Sequence, residues 1–402
     1  MSNAPEKGPP GVRPRFLPTP VQVYRFFQAA GLGAFTVFLP ILLVERGLSL
    51  SQMGLLSAVL TLVTLGVAPL WASLADALGR TKPFLVQATG IGVVSAFVLP
   101  HLSRFSQFLG VQTVLALLMP PAEGLLVTTV FRAHMNQDRG SAYSGFALWG
   151  SVGFALGVAS AGWIVSKTGT ASALYFGGAL LGMAALVALR LEEPREERAS
   201  FPHLGFKGIA SLLYDRDLRL FLFSLLPLAF ALNAAVRFFP VRLTQASGSA
   251  MLVGLVYAVP ALLEVPVFWG VGRVSPRLRR RRPFLLWSAA VYTLISLLLA
   301  TISHPLGLFW GYVLLAPLGW APFITASTAL MAELVPYKLW VTGQTLLSLW
   351  LWSVGGALGP LGAGFLGEAL GLPSLFAILG TWHALSFALV LTLVQEKPRS
   401  ES

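Results

Sequence analysis

The sequence contains no cysteine, which excludes disulfides, iron–sulfur clusters and thiolate zinc sites. Its five histidines, His101, His134, His203, His304 and His383, show no metal-ligand spacing, so neither a metal nor any other cofactor is expected. No nucleophile–base spacing and no acidic cluster points to reaction chemistry, and no catalytic residue is assigned. Charge is scarce too: only 11% of the 402 residues are Asp, Glu, Lys or Arg, against about a quarter in soluble domains. A water-soluble chain of this length could not cover itself with so little polar surface. The net charge of +12 does not indicate nucleic acid, because the arginines stand between hydrophobic stretches and not along one face.

What is present is apolar length. Hydrophobic residues make up 55% of the chain and the mean hydropathy is +0.75, so the expected solvent for most of it is a lipid bilayer. Windows of about 20 apolar residues, the length that spans a membrane, predict twelve helices. Six cover residues 21–44, 51–75, 83–100, 107–132, 141–165 and 171–191, and six cover 220–241, 251–272, 283–302, 306–334, 341–366 and 373–394. The stretch 192–219 is the longest polar segment and reads as a linker between an N-terminal half, 1–191, and a C-terminal half, 220–402. A polar, Pro-rich segment, 1–20, precedes the first apolar run without a cleavage site, so the first helix is expected to remain in the mature protein.

Placing the N-terminus in the cytoplasm puts most of the 28 Lys and Arg on the inner side, including Arg80, Lys82, Arg139 and Arg279 to Arg282. Only Arg46, Arg104, Lys167 and Arg242 fall outside. The positive-inside rule therefore predicts a multi-pass inner-membrane protein with both termini cytoplasmic.

The halves repeat each other. Pro40, Gly54 and Pro83-Phe84-Leu85 recur as Pro240, Gly254 and Pro283-Phe284-Leu285 at one constant offset. Ser151-Val-Gly-Phe-Ala-Leu-Gly157 returns as Ser353-Val-Gly-Gly-Ala-Leu-Gly359. The fold class expected is an all-α membrane protein of two six-helix parallel repeats.

After the second helix comes Ala72-Ser-Leu-Ala-Asp76-Ala-Leu-Gly79-Arg80-Thr-Lys82. It resembles the loop signature of the major facilitator superfamily, with Ala72 and Ala77 departing from the signature's Gly and Arg. A carboxylate at a helix end, a turn glycine and a following cation can latch two halves together and release them. Asp76, Gly79 and Arg80 are therefore assigned to gating. Trp149-Gly-Ser-Val-Gly-Phe154, Glu264-Val-Pro-Val-Phe268 and Thr342-Gly-Gln344 resemble the branch that includes lactose permease, nucleoside–proton symporters and phenylpropionate permease. That branch usually has a substrate-binding Arg where this chain has Ala147, so galactoside recognition of the lactose-permease kind is not implied. Glycine ladders, Gly153, Gly157 and Gly162, then Gly355, Gly359 and Gly364, read as close helix packing and a bending hinge.

Ionisable groups within spans cost at least about 2.5 to 3.5 kcal/mol at mid-membrane and are functional suspects. Glu264, far from any loop, is the first candidate for a proton carrier, with Glu123 as the second, because burial disfavours the charged carboxylate. A static ion pair between Glu264 and Arg237 is the competing reading. Arg237, Asn233, Trp320 and Gln344 are the candidates for the substrate cavity, and Arg25 is expected to snorkel to the cytoplasmic surface.

The function expected is a secondary active transporter of a small organic solute such as a sugar, nucleoside or aromatic acid, coupled to protons and working by alternating access. An exporter of drugs or sugars, and a transporter-like receptor or scaffold that carries nothing, are the alternatives. The partners expected are the solute, protons and the lipid bilayer, with no nucleic acid, and the chain is expected to act as a monomer.

Overall fold

The computed structural model describes residues 19–120, 139–191, 212–278, 280–336 and 339–394, together with Ala122 and Leu126. Among the described residues all regular structure is helical: α1 (Pro20–Glu45), α2 (Leu50–Leu78), α3 (Lys82–Val98), α4 (Phe105–Leu117), α5 (Arg139–Thr168), α6 (Ala171–Ala188), α7 (Arg216–Ser247), α8 (Ala250–Leu278), α9 (Arg282–Thr301), α10 (Pro305–Leu334) and α12 (Leu372–Leu393). Between α10 and α12 runs α11, in three consecutive parts: Trp340–Ser348, a π-helical Leu349–Val354 and Gly355–Leu370. Eleven of these helices are long and apolar enough to cross a membrane, while α4 is shorter. Most of the stretch expected to complete α4, with Glu123 in it, lies outside the described residues, as does 192–211 of the expected linker.

Local chemistry sets the helix starts. The Thr19 hydroxyl accepts from the Gln22 N–H, and the Gln22 side chain accepts from the Thr19 N–H at 2.8 Å, a capping box ahead of Pro20. Asp215 accepts from the Leu218 N–H at 2.8 Å, so α7 begins at Arg216. The last residues of the expected linker thus belong to the helix: a capped polar turn extends a span that hydropathy alone would end sooner.

Within each half, small residues let backbones meet. Gly153 and Gly157 of α5 face the backbone of α1 at Phe26 and Ala30, and Gly359 of α11 faces the Phe230 carbonyl of α7, the corresponding pair of the repeat. A Cβ at any of these positions would press on a carbonyl that cannot yield, which is the packing use of the ladders.

The last glycines of the ladders do something else, because they cross between halves. Gly364 of α11 faces the Leu50 carbonyl of α2, Gly54 of α2 faces the Pro360 carbonyl, and Gly162 of α5 lies against Gly254 of α8. All of these contacts fall at the end of the bundle where α2 and α8 begin. Further along, Thr61 still stands 3.7 Å from the Cβ position of Gly356, but Gly66 of α2 and Gly270 of α8 have nothing within 4 Å of theirs. The halves are therefore closed on each other at the α1–α2 loop end and part toward the end that carries Arg80, Lys82 and Arg280 to Arg282.

The π-helical turn of α11 displaces carbonyls from regular pairing. Asn233 of α7 donates its amide to the Leu351 carbonyl at 2.9 Å and to the Ala229 carbonyl at 2.8 Å, and the Trp350 indole donates to the Leu222 carbonyl at 2.8 Å. This π-helical turn, the bend of α11, is thereby held against α7.

Candidate substrate cavity

A cavity of about 830 Å³ lies between the halves, walled by α1 and α5 on one side and by α7 to α12 on the other. Its walls are mostly apolar and aromatic, with few polar groups, the composition of a small-molecule site. Glu264 of α8 is the one carboxylate among its described lining residues and Arg25 of α1 the one Lys or Arg. Tyr257, Tyr292, Tyr312, Trp320 and Trp352, with Phe154 and Phe268, supply the aromatic surface.

Glu264 is half-buried and makes no hydrogen bond or ion pair among the described residues. Arg237 is likewise half-buried and without a partner there, and it does not line the cavity. The two are not paired in this state, which removes the static ion pair as an account of it.

Arg25 has a cavity role that its snorkelling expectation did not include. It lines the cavity, donating from Nη1 to the Gln28 side chain at 2.9 Å and holding its guanidinium carbon 5.1 Å from the centre of the Phe146 ring. Gly150 of α5 makes the space: a Cβ there would stand 2.6 Å from Arg25 Nε. The aromatic face and the missing side chain together draw the cation inward.

The other predicted residues divide. Trp320 lines the cavity beside Trp352, ring centroids 5.7 Å apart. Asn233 is committed to the bend of α11, and Gln344 donates to the Thr328 carbonyl of α10 at 2.9 Å; neither lines the cavity. Gly79 ends α2 with φ +63°, a left-handed turn suited to glycine, and Arg80 follows it. Asp76 lies in the last turns of α2; its side chain and all of Glu123 lie outside the described residues.

Sequence reading missed His383 of α12. It is 1% exposed, lines the cavity, stacks on Tyr292 with centroids 5.5 Å apart and planes 25° apart, and has Nδ1 3.1 Å from the Ser296 hydroxyl. A lone imidazole within an otherwise apolar span was the available signal.

Comparison with known proteins agrees with this arrangement. The chain is 26% identical to a maltose permease of Geobacillus stearothermophilus over 343 residues, 84% of each chain. It is 24% identical to the uncharacterized transporter YwbF of Bacillus subtilis over 60% of each chain. The nucleoside transporter NupG superposes with a TM-score of 0.80 at 16% identity, covering 94% of this chain and 99% of that one. A bacterial homologue of the lysosomal transporter Spinster, in an inward-facing, unoccupied conformation, superposes with a TM-score of 0.67 at 15% identity over 93% of both chains. The structural likenesses show a shared fold, that of these solved transporters. The family model described as "MFS_1 like family" matches residues 20–378, and the chain belongs to that family of transporters.

Proposed function

We propose that the chain is a proton-coupled carrier of a small organic solute, binding it in the cavity between the halves and exposing it to the two membrane faces in turn. The observation that carries this reading is the placement of Glu264: among the described residues it is the one carboxylate of the cavity wall, half-buried and without a hydrogen bond or ion pair, facing aromatic surface that a ring could stack against. A carboxyl group so placed can take up a proton in one state and give it up in the other, and differential affinity for the two states is all that coupling requires.

With the basic end taken as the cytoplasmic one by the positive-inside rule, we read an inward-open carrier with both termini inside. Asp76, Gly79 and Arg80 lie at that open end, where a latch would engage when the halves rock the other way. Maltose and nucleosides, the solutes named for its relatives, both present a hydroxylated ring, and the cavity is large enough for either. The test is uptake into proteoliposomes with an imposed pH gradient. Accumulation of maltose or uridine that collapses on adding a protonophore is expected, whereas accumulation unaffected by the gradient removes proton coupling.

A further inference from the structure

Two polar atoms on the C-terminal wall of the cavity are buried and lack hydrogen-bond partners among the described residues: Nε2 of His383 and the hydroxyl of Tyr257. Buried polar atoms are nearly always satisfied, and one left without a partner is unfavourable unless something completes it. His383 is not loosely held. Its other nitrogen is fixed 3.1 Å from the Ser296 hydroxyl, and Tyr292 stacks on the ring, so only Nε2 remains to meet a ligand. One ring nitrogen is engaged and the other, buried at the cavity wall, is left to bond.

We propose that His383, oriented by Ser296 and Tyr292, is a substrate-binding residue that engages a hydroxyl group of an uncharged ring, with Tyr257 as a second hydrogen-bonding point. The inference rests on the carrier reading of this cavity and narrows its solute class. If Ser296 donates to Nδ1, then Nε2 carries the hydrogen and donates; if Nδ1 donates to Ser296, then Nε2 accepts. A hydroxyl, both donor and acceptor, satisfies either arrangement, and it equally satisfies the Tyr257 phenol. A carboxylate, which only accepts, would satisfy one tautomer and would bring its charge to the wall that holds Glu264. The aromatic rings around these atoms offer the flat apolar faces that a sugar or nucleoside ring stacks against.

The test measures equilibrium binding of maltose, uridine and phenylpropionate to the purified full chain and to its variants. His383→Phe keeps a stacking ring and removes both nitrogens; His383→Gln restores a polar terminus near Nε2. We expect His383→Phe to weaken maltose or uridine binding about tenfold or more, as for a buried hydrogen bond left unmade, and His383→Gln to recover most of that loss. Ser296→Ala should weaken the same probe selectively. If His383→Phe does not yield monodisperse protein, Ser296→Ala and His383→Gln carry the comparison. Wild-type affinity for hydroxylated probes in the folded variants overturns the proposal, as does wild-type binding of phenylpropionate to the exclusion of both hydroxylated probes, which leaves the carrier reading standing. A wild-type chain that neither binds nor exchanges any of the three removes the carrier reading itself, and this inference with it.

Discussion

The Glu368 carboxylate, near the end of α11, accepts a hydrogen bond from the Ser51 N–H in the first turn of α2, 2.9 Å away. One half thus caps a helix of the other, placing a negative group at the positive end of the α2 dipole. Glu368 is exposed, but the contact spans the seam that must open in transport. Glu368→Ala should therefore shift the population toward the state open at that end. A cysteine at Thr36, a cavity position on α1, reports this without background because the native chain has none. An impermeant maleimide applied from the Glu368 face should label it several-fold faster in the variant, and unchanged labelling would rule out a latch here.

The glycines of the seam and those within a half should respond differently to the same substitution. A side chain at Gly54 meets the Pro360 carbonyl across the halves, whereas one at Gly157 meets the Ala30 backbone within the N-terminal half. Gly54→Val can be relieved by parting the halves, so it should leave the melting temperature near wild type and raise Thr36 labelling. Gly157→Val has no such escape and should destabilise by about 1–3 kcal/mol, as overpacking does. Equal melting temperatures for the two variants would contradict this division.

Asn233→Leu should act on the bend of α11. The Leu351 carbonyl loses its amide donor, and a buried acceptor left unmet costs about 1–3 kcal/mol. Thermal unfolding should show the loss, and solute binding should change less than for a residue on the cavity wall. A variant as stable as wild type would mean that water replaces the amide.

These residues also mark what the sequence could and could not convey. The spans, the repeat and the isolation of Glu264 within an apolar helix were legible because length, proline and glycine spacing and the rarity of charge are one-dimensional signals. Which face of a helix looks inward was not. A helix in lipid is apolar on its outer face as well as against its neighbours, so periodicity loses the contrast it has in water. Asn233 and Gln344 were thus as plausible for the cavity as Trp320, yet both amides are taken by carbonyls of neighbouring helices. The cavity contacts of Arg25 were hidden for a related reason: they depend on Gly150 and Phe146, more than a hundred positions away in sequence.

Glu264→Gln is the sharpest test of coupling. The substitution keeps the shape of the side chain and fixes it in a neutral form, so a carrier that depends on protonating this group loses the proton step but not the site. Because Glu264 has no ion-pair partner among the described residues, and Arg237 in particular is not bonded to it, removing the charge strands no cation there. The melting temperature should accordingly stay near wild type, unlike the several kcal/mol lost when a buried ion pair is broken. Two fluxes then separate. Exchange of labelled for unlabelled solute across the membrane needs only the rocking of the halves, and it should persist. Accumulation against a gradient requires that the loaded states differ in protonation, and it should fall to the level reached by passive equilibration. A stable Glu264→Gln protein that still accumulates solute at the wild-type level under a pH gradient would place the coupling proton elsewhere in the cavity.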